Sequence, residues 1–397
     1  LTMRIAYILL DPGIGVFGTK GASVHVQEVI RALRADGHQV TVFCTRTDDQ
    51  VPADLADLDV RRRRLPKGSG AERERAVAEA SAAIAAEIAA EGFDLAYERY
   101  SLFSDALVRL AAPATGAPTP GILEVNAPLI EEQRRHRHLH DESAAQAATR
   151  AQLQSAQVVS CVSETVAAWT RGQGASAERV VVTPNGVNTA RITPREQTPS
   201  AAAVNPVGPV SPVSPERLVT VGFVGTLKPW HGTDLLLRAL ARTRGPLRLD
   251  ICGTGPQQAE LQQLAAELGM HERVTFRGAV APELVPEVLR GFDIATAPYP
   301  VGEHYFSPLK VYEYLAAGVP VIASAIGTLP DVLRHGELGV LVEPGDVDAL
   351  ATALDDLAGD PARRARLGRA ARETAVAEHD WRSRCRALLE TMEVPVA

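Results

Sequence analysis

Cysteine, methionine and aromatic residues are scarce in this chain of 397 residues, which has four Cys, three Met, three Trp and an aromatic share of 5%. The four cysteines, Cys44, Cys161, Cys252 and Cys385, form no CxxC pair, so the common zinc and redox spacings are excluded. Three of them end apolar, strand-like runs and read as buried, reduced thiols of a cytoplasmic protein. Positive charge is not in excess either. A net charge of -7 leaves no electrostatic footprint for nucleic acid. No apolar run reaches the roughly 18 residues of a membrane span. The apolar stretch Arg4–Leu10 is too short for the apolar region of a signal peptide, and Asp11 and Pro12 end it, so it reads as a first core strand. There is no HExxH, no Ser-His-Asp order and no GxxxxGK[ST] phosphate loop.

What is present is an alternation of short β-branched runs with helical patterns in both halves, the mark of parallel α/β sheets. The length favours two domains. In the first half the expected strands are Arg4–Leu10, Gln39–Cys44, Leu95–Tyr97, Gly121–Val125, Val158–Val162 and Val180–Thr183, with a long Ala-rich helix from Ala71 to Ala90. Ser23 is placed to cap the helix that carries Val26, Val29, Ile30 and Leu33 at helical spacing. From Pro194 to Pro215 the composition turns to Pro, Ser, Val and Ala without periodicity, the pattern of an extended linker. The second half offers Leu218–Val224, a helix over Thr233–Ala241, then Leu247–Cys252, Val274–Phe276, Ile294–Ala297 and Val319–Ala323, and ends in an amphipathic helix over Trp381–Met392. The domains are accordingly 1–193 and 217–378, joined by 194–216, with 379–397 as a tail.

The most informative stretch is Ser307-Pro308-Leu309-Lys310-Val311-Tyr312-Glu313-Tyr314-Leu315-Ala316-Ala317-Gly318. Ser307 and Pro308 suit a helix start and Gly318 a helix end. A lysine in the first turn opposes the helix dipole. An anion held by that lysine and the free N–H groups removes the conflict. Glu313, on the same face, could accept hydrogen bonds from a ribose. The bland alternative is a capped helix with a solvated lysine.

Other motifs sit where strands end, the place at which open α/β sheets bind ligands. They are Gly18-Thr19-Lys20-Gly21 before the helix with His25, Gly225-Thr226-Leu227-Lys228-Pro229-Trp230-His231-Gly232, Gly253-Thr254-Gly255-Pro256, Phe276-Arg277-Gly278-Ala279-Val280, and Glu124-Val125-Asn126. Each alone reads equally as a turn or cap; for the Gly225 loop, that alternative has Trp230 packed beneath it. No acidic residue ends the second strand, which disfavours NAD. Arg61–Arg64 reads as a solvated strand edge or loop. The histidines of 136–140 lie among arginines, which argues against a metal site.

Taken in order, these motifs resemble glycosyltransferase family 4, the retaining sugar-nucleotide transferases of GT-B fold. The resemblance rests on the first Gly-rich loop, Thr183-Pro184-Asn185-Gly186, the Gly225–Gly232 loop, Gly253–Pro256, Val274–Gly278 and Lys310–Pro320. It implies two Rossmann-like domains facing across a cleft, with the last helix crossing back to the first domain. It also implies transfer from a nucleotide diphosphate sugar, UDP or GDP by preference, to a small-molecule acceptor, with no further cofactor, no metal, no nucleic acid and no indicated membrane association, and with room for a homodimer.

Carried over residue by residue, the resemblance gives Lys310, Lys228 and Asn126 catalytic roles. The donor would meet Gly21, Gly225, Thr226, His231, Gly253, Arg277, Val280, Tyr305, Ser307, Leu309 and Glu313. The acceptor would meet Lys20, His25, Arg99, Tyr100 and Glu124, with Arg134, Arg135 and Arg137 suited to an anionic group. The family's first glutamate falls at Tyr305, its arginine and lysine of the Gly225 loop at Thr226 and His231, and its histidine after the Glu124 strand at Asn126. Two alternatives stand beside this reading: a sugar-nucleotide epimerase of the same fold, and a non-catalytic nucleotide-sugar-binding partner.

Overall fold

A computed structural model describes residues 2–114, 116–136, 138–195, 218–302, 304–305 and 307–393. Of the expected linker only Pro194 and Arg195 fall among them, and Arg137 and Phe306 lie outside. The chain divides into two compact units. The first is Leu1–Gly186 with Tyr305–Ser307 and Asp380–Ala397, and the second is Val187–His304 with Pro308–His379.

The first unit is built on seven parallel strands, β1 (Arg4–Leu9), β2 (Gln39–Cys44), β3 (Asp59–Arg62), β4 (Leu95–Arg99), β5 (Gly121–Val125), β6 (Val158–Cys161) and β7 (Val180–Val182). Their order is β3-β2-β1-β4-β5-β6-β7. Five of the six residues of β1 are fully buried, as a central strand covered by helices on both faces requires. The order reverses between β1 and β4, which opens a crevice at the carboxyl ends of those strands. The helix Trp381–Glu393 belongs to this unit and packs on the helix Gly21–Ala35. Trp381 meets His25 edge-on at 4.9 Å, and Arg382 and Arg386 both pair with Asp36.

The second unit repeats the plan with β8 (Val219–Val224), β9 (Leu247–Cys252), β10 (Val274–Gly278), β11 (Ile294–Ala297), β12 (Val321–Ser324) and β13 (Gly339–Val342), all parallel. The order is β10-β9-β8-β11-β12-β13, so its reversal lies between β8 and β11. Leu236, Leu237 and Leu240 of the helix Thr233–Arg242 pack with Phe223, Leu249, Ile251 and Leu354 in its core.

Several local expectations are corrected. Ser23 does not cap its helix: the helix begins at Gly21 behind Lys20, and Ser23 is buried inside its first turn. Ser307 does not cap Leu309–Ala316 either; Pro308 stands at the cap position without a side-chain bond. The Ser307 hydroxyl instead accepts the backbone N–H of Asn185 at 2.9 Å, while Asn185 Nδ2 donates to the Ser307 carbonyl at 2.8 Å. A partner far along the chain has replaced the local one. Trp230 is 45% exposed rather than packed under its loop, whereas Leu227 of the same loop is buried. Gly318 does end its helix, with φ +64°. The edge strand β3 takes in Arg61, which is tied to Asp59, Glu87 and Glu91. Strand β13, short and led by glycine, leaves little sequence signal.

Candidate functional site

In the second unit three loops at the carboxyl ends of β8, β9 and β11 pack backbone against backbone, and glycines make this contact feasible. A Cβ on Gly253 would lie 1.9 Å from the Gly225 carbonyl, one on Gly255 2.3 Å from the Leu227 carbonyl, and one on Gly232 1.7 Å from the Pro298 carbonyl. Gly225, Gly232 and Gly253 also adopt positive φ, where L side chains are strained. The loops therefore form one rigid rim around the strand-order reversal.

Lys310 reaches into this rim. A Cβ on Gly225 would sit 2.8 Å from its Nζ, so the bare glycine gives the ammonium its space. The Nζ lies 4.2 Å from the Phe223 ring centre and 5.5 Å from that of Tyr299. The residue as a whole is half-buried, yet its Nζ is closed off from solvent and has no hydrogen-bond partner among the described residues. Burial pushes the ammonium down to about 7, with Glu313 opposing the fall. Aromatic faces attract a cation but do not replace the acceptors an ammonium loses on leaving water.

His231 shares this environment, 6.2 Å from Phe223 and 6.0 Å from Tyr299 between ring centres. Its Nδ1 hydrogen-bonds the Thr226 carbonyl. Burial pushes its imidazolium down to about 3; the Lys310, His304 and Lys228 charges add to this and the Thr226 carbonyl opposes it. A carbonyl only accepts, so Nδ1 carries the proton and Nε2 the lone pair. Lys228 is half-buried beside the Trp230 face, 5.2 Å from its centre. Glu313 lies half-buried one turn beyond Lys310, and Leu309 begins the helix. Arg277 is not a free side chain at this rim. Its guanidinium holds Asp250 at 2.5 Å and 3.0 Å, which leaves the half-buried loop residue Val280 and the nearby backbone to line that edge.

In the first unit the structure gathers His25, Arg99, Glu124 and Asn126, residues singled out separately in the sequence. Glu124 is buried at the end of β5 and accepts from Tyr97 Oη at 2.5 Å and from Arg99 at 3.1 Å. His25 Nε2 lies 2.7 Å from the same carboxylate, at ion-pair distance but without hydrogen-bond geometry. Asn126 donates to Glu124 and accepts from Arg99 at 2.7 Å. Burial works to raise the Glu124 carboxyl, but His25, Arg99 and Tyr97 together hold it well below the usual carboxylate range.

Not every expected residue joins these groups. Tyr100 is a core residue, its hydroxyl tied to Thr149 at 2.7 Å and its ring 6.0 Å from Trp169, so its side chain does not line the cluster. Lys20 is exposed ahead of the helix that Gly21 begins. Arg134 is engaged by Glu142. Tyr305 belongs to the first unit, where its hydroxyl bonds Glu132 and its carbonyl accepts from Ser163 at 2.7 Å. Phe223 and Tyr299, the aromatic walls of Lys310, carry little signal in the sequence beyond a position in or just after a strand. Nor does the sequence mark Asp48, whose carboxylate fills the space beside Gly15 and Gly18 and pairs with Arg46 at 2.6 Å.

The family model Glycosyltransferase Family 4 matches residues 19–191, and Glycosyl transferases group 1 matches residues 209–374. A GDP-mannose-dependent alpha-(1-6)-phosphatidylinositol monomannoside mannosyltransferase of Mycolicibacterium smegmatis is 36% identical over 173 residues, 42% of this chain and 45% of that protein. A D-inositol 3-phosphate glycosyltransferase of Stackebrandtia nassauensis is 34% identical over 220 residues, 52% of this chain and 47% of that protein. The chain thus spans about half the length of the curated relatives it matches. Among solved structures, a sucrose-phosphate synthase from Thermosynechococcus elongatus superposes with a TM-score of 0.73 at 23% identity, over 98% of both chains.

Proposed function

The chain belongs to glycosyltransferase family 4 and has the GT-B fold, and on that premise we propose that it moves a sugar from a nucleotide diphosphate sugar to a hydroxyl or amine of a small-molecule acceptor. The observation that carries this reading is the buried Lys310 Nζ, a basic group held in a glycine-rimmed pocket with no described acceptor. A diphosphate oxygen supplies the missing acceptor.

In this reading the sugar–phosphate bond breaks and charge builds on the departing diphosphate. Lys310, Lys228 and the N–H groups of the glycine loops stabilise that charge in place, without reorganising solvent. Glu313 takes the ribose hydroxyls, and Val280 with the neighbouring backbone bounds the base. His25, Arg99 and Asn126, oriented by Glu124, position the acceptor. The new bond forms on the face the diphosphate leaves, and a phosphate oxygen takes the acceptor proton, so the anomeric configuration is retained. Lysines and backbone dipoles do the charge work, and no metal is required. The relatives' names support GDP-mannose as a first donor to try and a phosphorylated polyol as a first acceptor.

The test is nucleotide diphosphate release with and without acceptor. Acceptor-dependent release that persists in chelator, and that falls about 10²-fold or more in Lys310→Ala, is the expected result. Conversion of the donor to an epimeric nucleotide sugar, with no acceptor and no net release, points to the epimerase, and neither release nor conversion to a binding partner. Near-normal turnover in Lys310→Ala overturns the site assignment. Glu313→Gln should weaken nucleotide binding; a change confined to acceptor affinity would remove its ribose role.

A further inference from the structure

We infer that binding of the sugar nucleotide draws a proton from solvent onto Lys310, so that donor affinity falls as pH rises. This rests on the donor-site reading above and adds a regulatory property to it. The geometry is the argument. The Nζ is sealed from water, stacked over Phe223 and Tyr299, and faces no described acceptor. An ammonium there loses its hydration without compensation, whereas an uncharged amine loses little. A diphosphate reverses the balance, because it offers oxygens and negative charge to the same atom.

The groups around Lys310 bear on the sign. Its own helix presents Glu313 and Tyr314. The loop after β8 presents Lys228 and His231, the loop after β11 presents Tyr299 and His304, and beyond Tyr314 lies Cys252 of β9. Glu313 favours the charged lysine, and burial outweighs it, leaving the free ammonium with a midpoint near 7. Tyr299, Tyr314 and Cys252 are held neutral by burial. His231 is held neutral as well, with its lone pair on Nε2, and adds no standing charge. In bond terms the amine gains one proton from water, and the resulting N–H groups donate to diphosphate oxygens.

Calorimetry with intact UDP-glucose, GDP-mannose, ADP-glucose and dTDP-glucose tests this, since a diphosphate diester does not itself titrate near neutrality. The nucleotide sugar that binds should show an enthalpy that varies with buffer ionisation enthalpy, corresponding to uptake of about one proton at pH 8. Its affinity should fall roughly twentyfold between pH 6.5 and 8.5. In Lys310→Arg, whose guanidinium is charged throughout this range, uptake should disappear if the variant binds. The wild-type slope decides the matter if it does not. Binding with no buffer dependence and equal affinity at both pH values overturns the inference alone. Binding of none of the four at any pH overturns the donor-site reading, and the inference with it.

Discussion

Two buried glutamates on neighbouring strands carry opposite electrostatic histories. Glu98 of β4 is fully buried; its carboxyl is pushed up to about 7 by burial, with Ser104 and the Leu107 backbone opposing and Asp105 adding to the rise. Glu124 of β5 is equally enclosed but held down by His25, Arg99 and Tyr97. A raised carboxyl binds protons more readily folded than unfolded. Glu98 therefore contributes stability that is fully present below its ordinary value of 4.5 and is lost as pH rises through about 7. The loss is on the order of 3 kcal/mol at pH 8. Glu98→Gln, neutral at every pH, should unfold at higher urea than wild type at pH 8 and at similar urea at pH 5. An unchanged difference between the two pH values would deny the shift. Glu124 runs the other way: its contribution is present above the ordinary carboxylate range and lost in acid. Glu124→Gln at pH 7 leaves His25 and Arg99 without their anion and should cost about 3–5 kcal/mol.

At the scale of loops and strands, glycines read alike in sequence but differ in what their missing side chains permit. Gly232 has φ +66° and faces the Pro298 carbonyl, whereas Gly269 has φ +68° and nothing within 4 Å. Gly269→Ala should cost only the left-handed backbone term, about 1–2 kcal/mol. Gly232→Ala adds a steric collision with backbone and should cost on the order of 2–4 kcal/mol, with a loss of nucleotide binding that Gly269→Ala does not share. Urea titration and nucleotide affinity, compared in the two variants, check both statements. Most strands were legible as short β-branched or apolar runs near Gly, Pro or Asp, as in β2, β5, β9 and β11, whose observed limits match those read from sequence, whereas β3 and β13 were not. The caps were not. A serine before a helix is a local signal, and Ser307 is claimed by Asn185 from the first unit's own fold.

Across the chain as a whole, the last helix is part of the first unit although it follows the second in sequence. Trp381 is 5% exposed and sits on His25, with Cys385 and Leu388 buried along the same helix. Trp381→Ala should destabilise the first unit by about 3–5 kcal/mol. Hydrogen exchange should then quicken in Gly21–Ala35 and stay unchanged in Leu309–Ala316, which belongs to the second unit. Equal loss of protection in both helices would contradict that division.

Sheet class, the placement of most strands, the glycine loops and the family were legible from the residues in order, because each depends on backbone preference and on apolar runs within a few positions of one another. Lys310, Lys228, Glu313, His25, Arg99, Glu124 and Asn126 could be named the same way, as residue types at strand and helix ends. The chain alone did not settle that Glu124 would collect His25, Arg99, Asn126 and Tyr97, that Arg277 would be occupied by Asp250, that Tyr100 would face the core, or that Lys310 would lie dry between two aromatic rings. Those outcomes turn on distances and solvent exclusion between segments far apart in sequence, and they come into being when the sheets close.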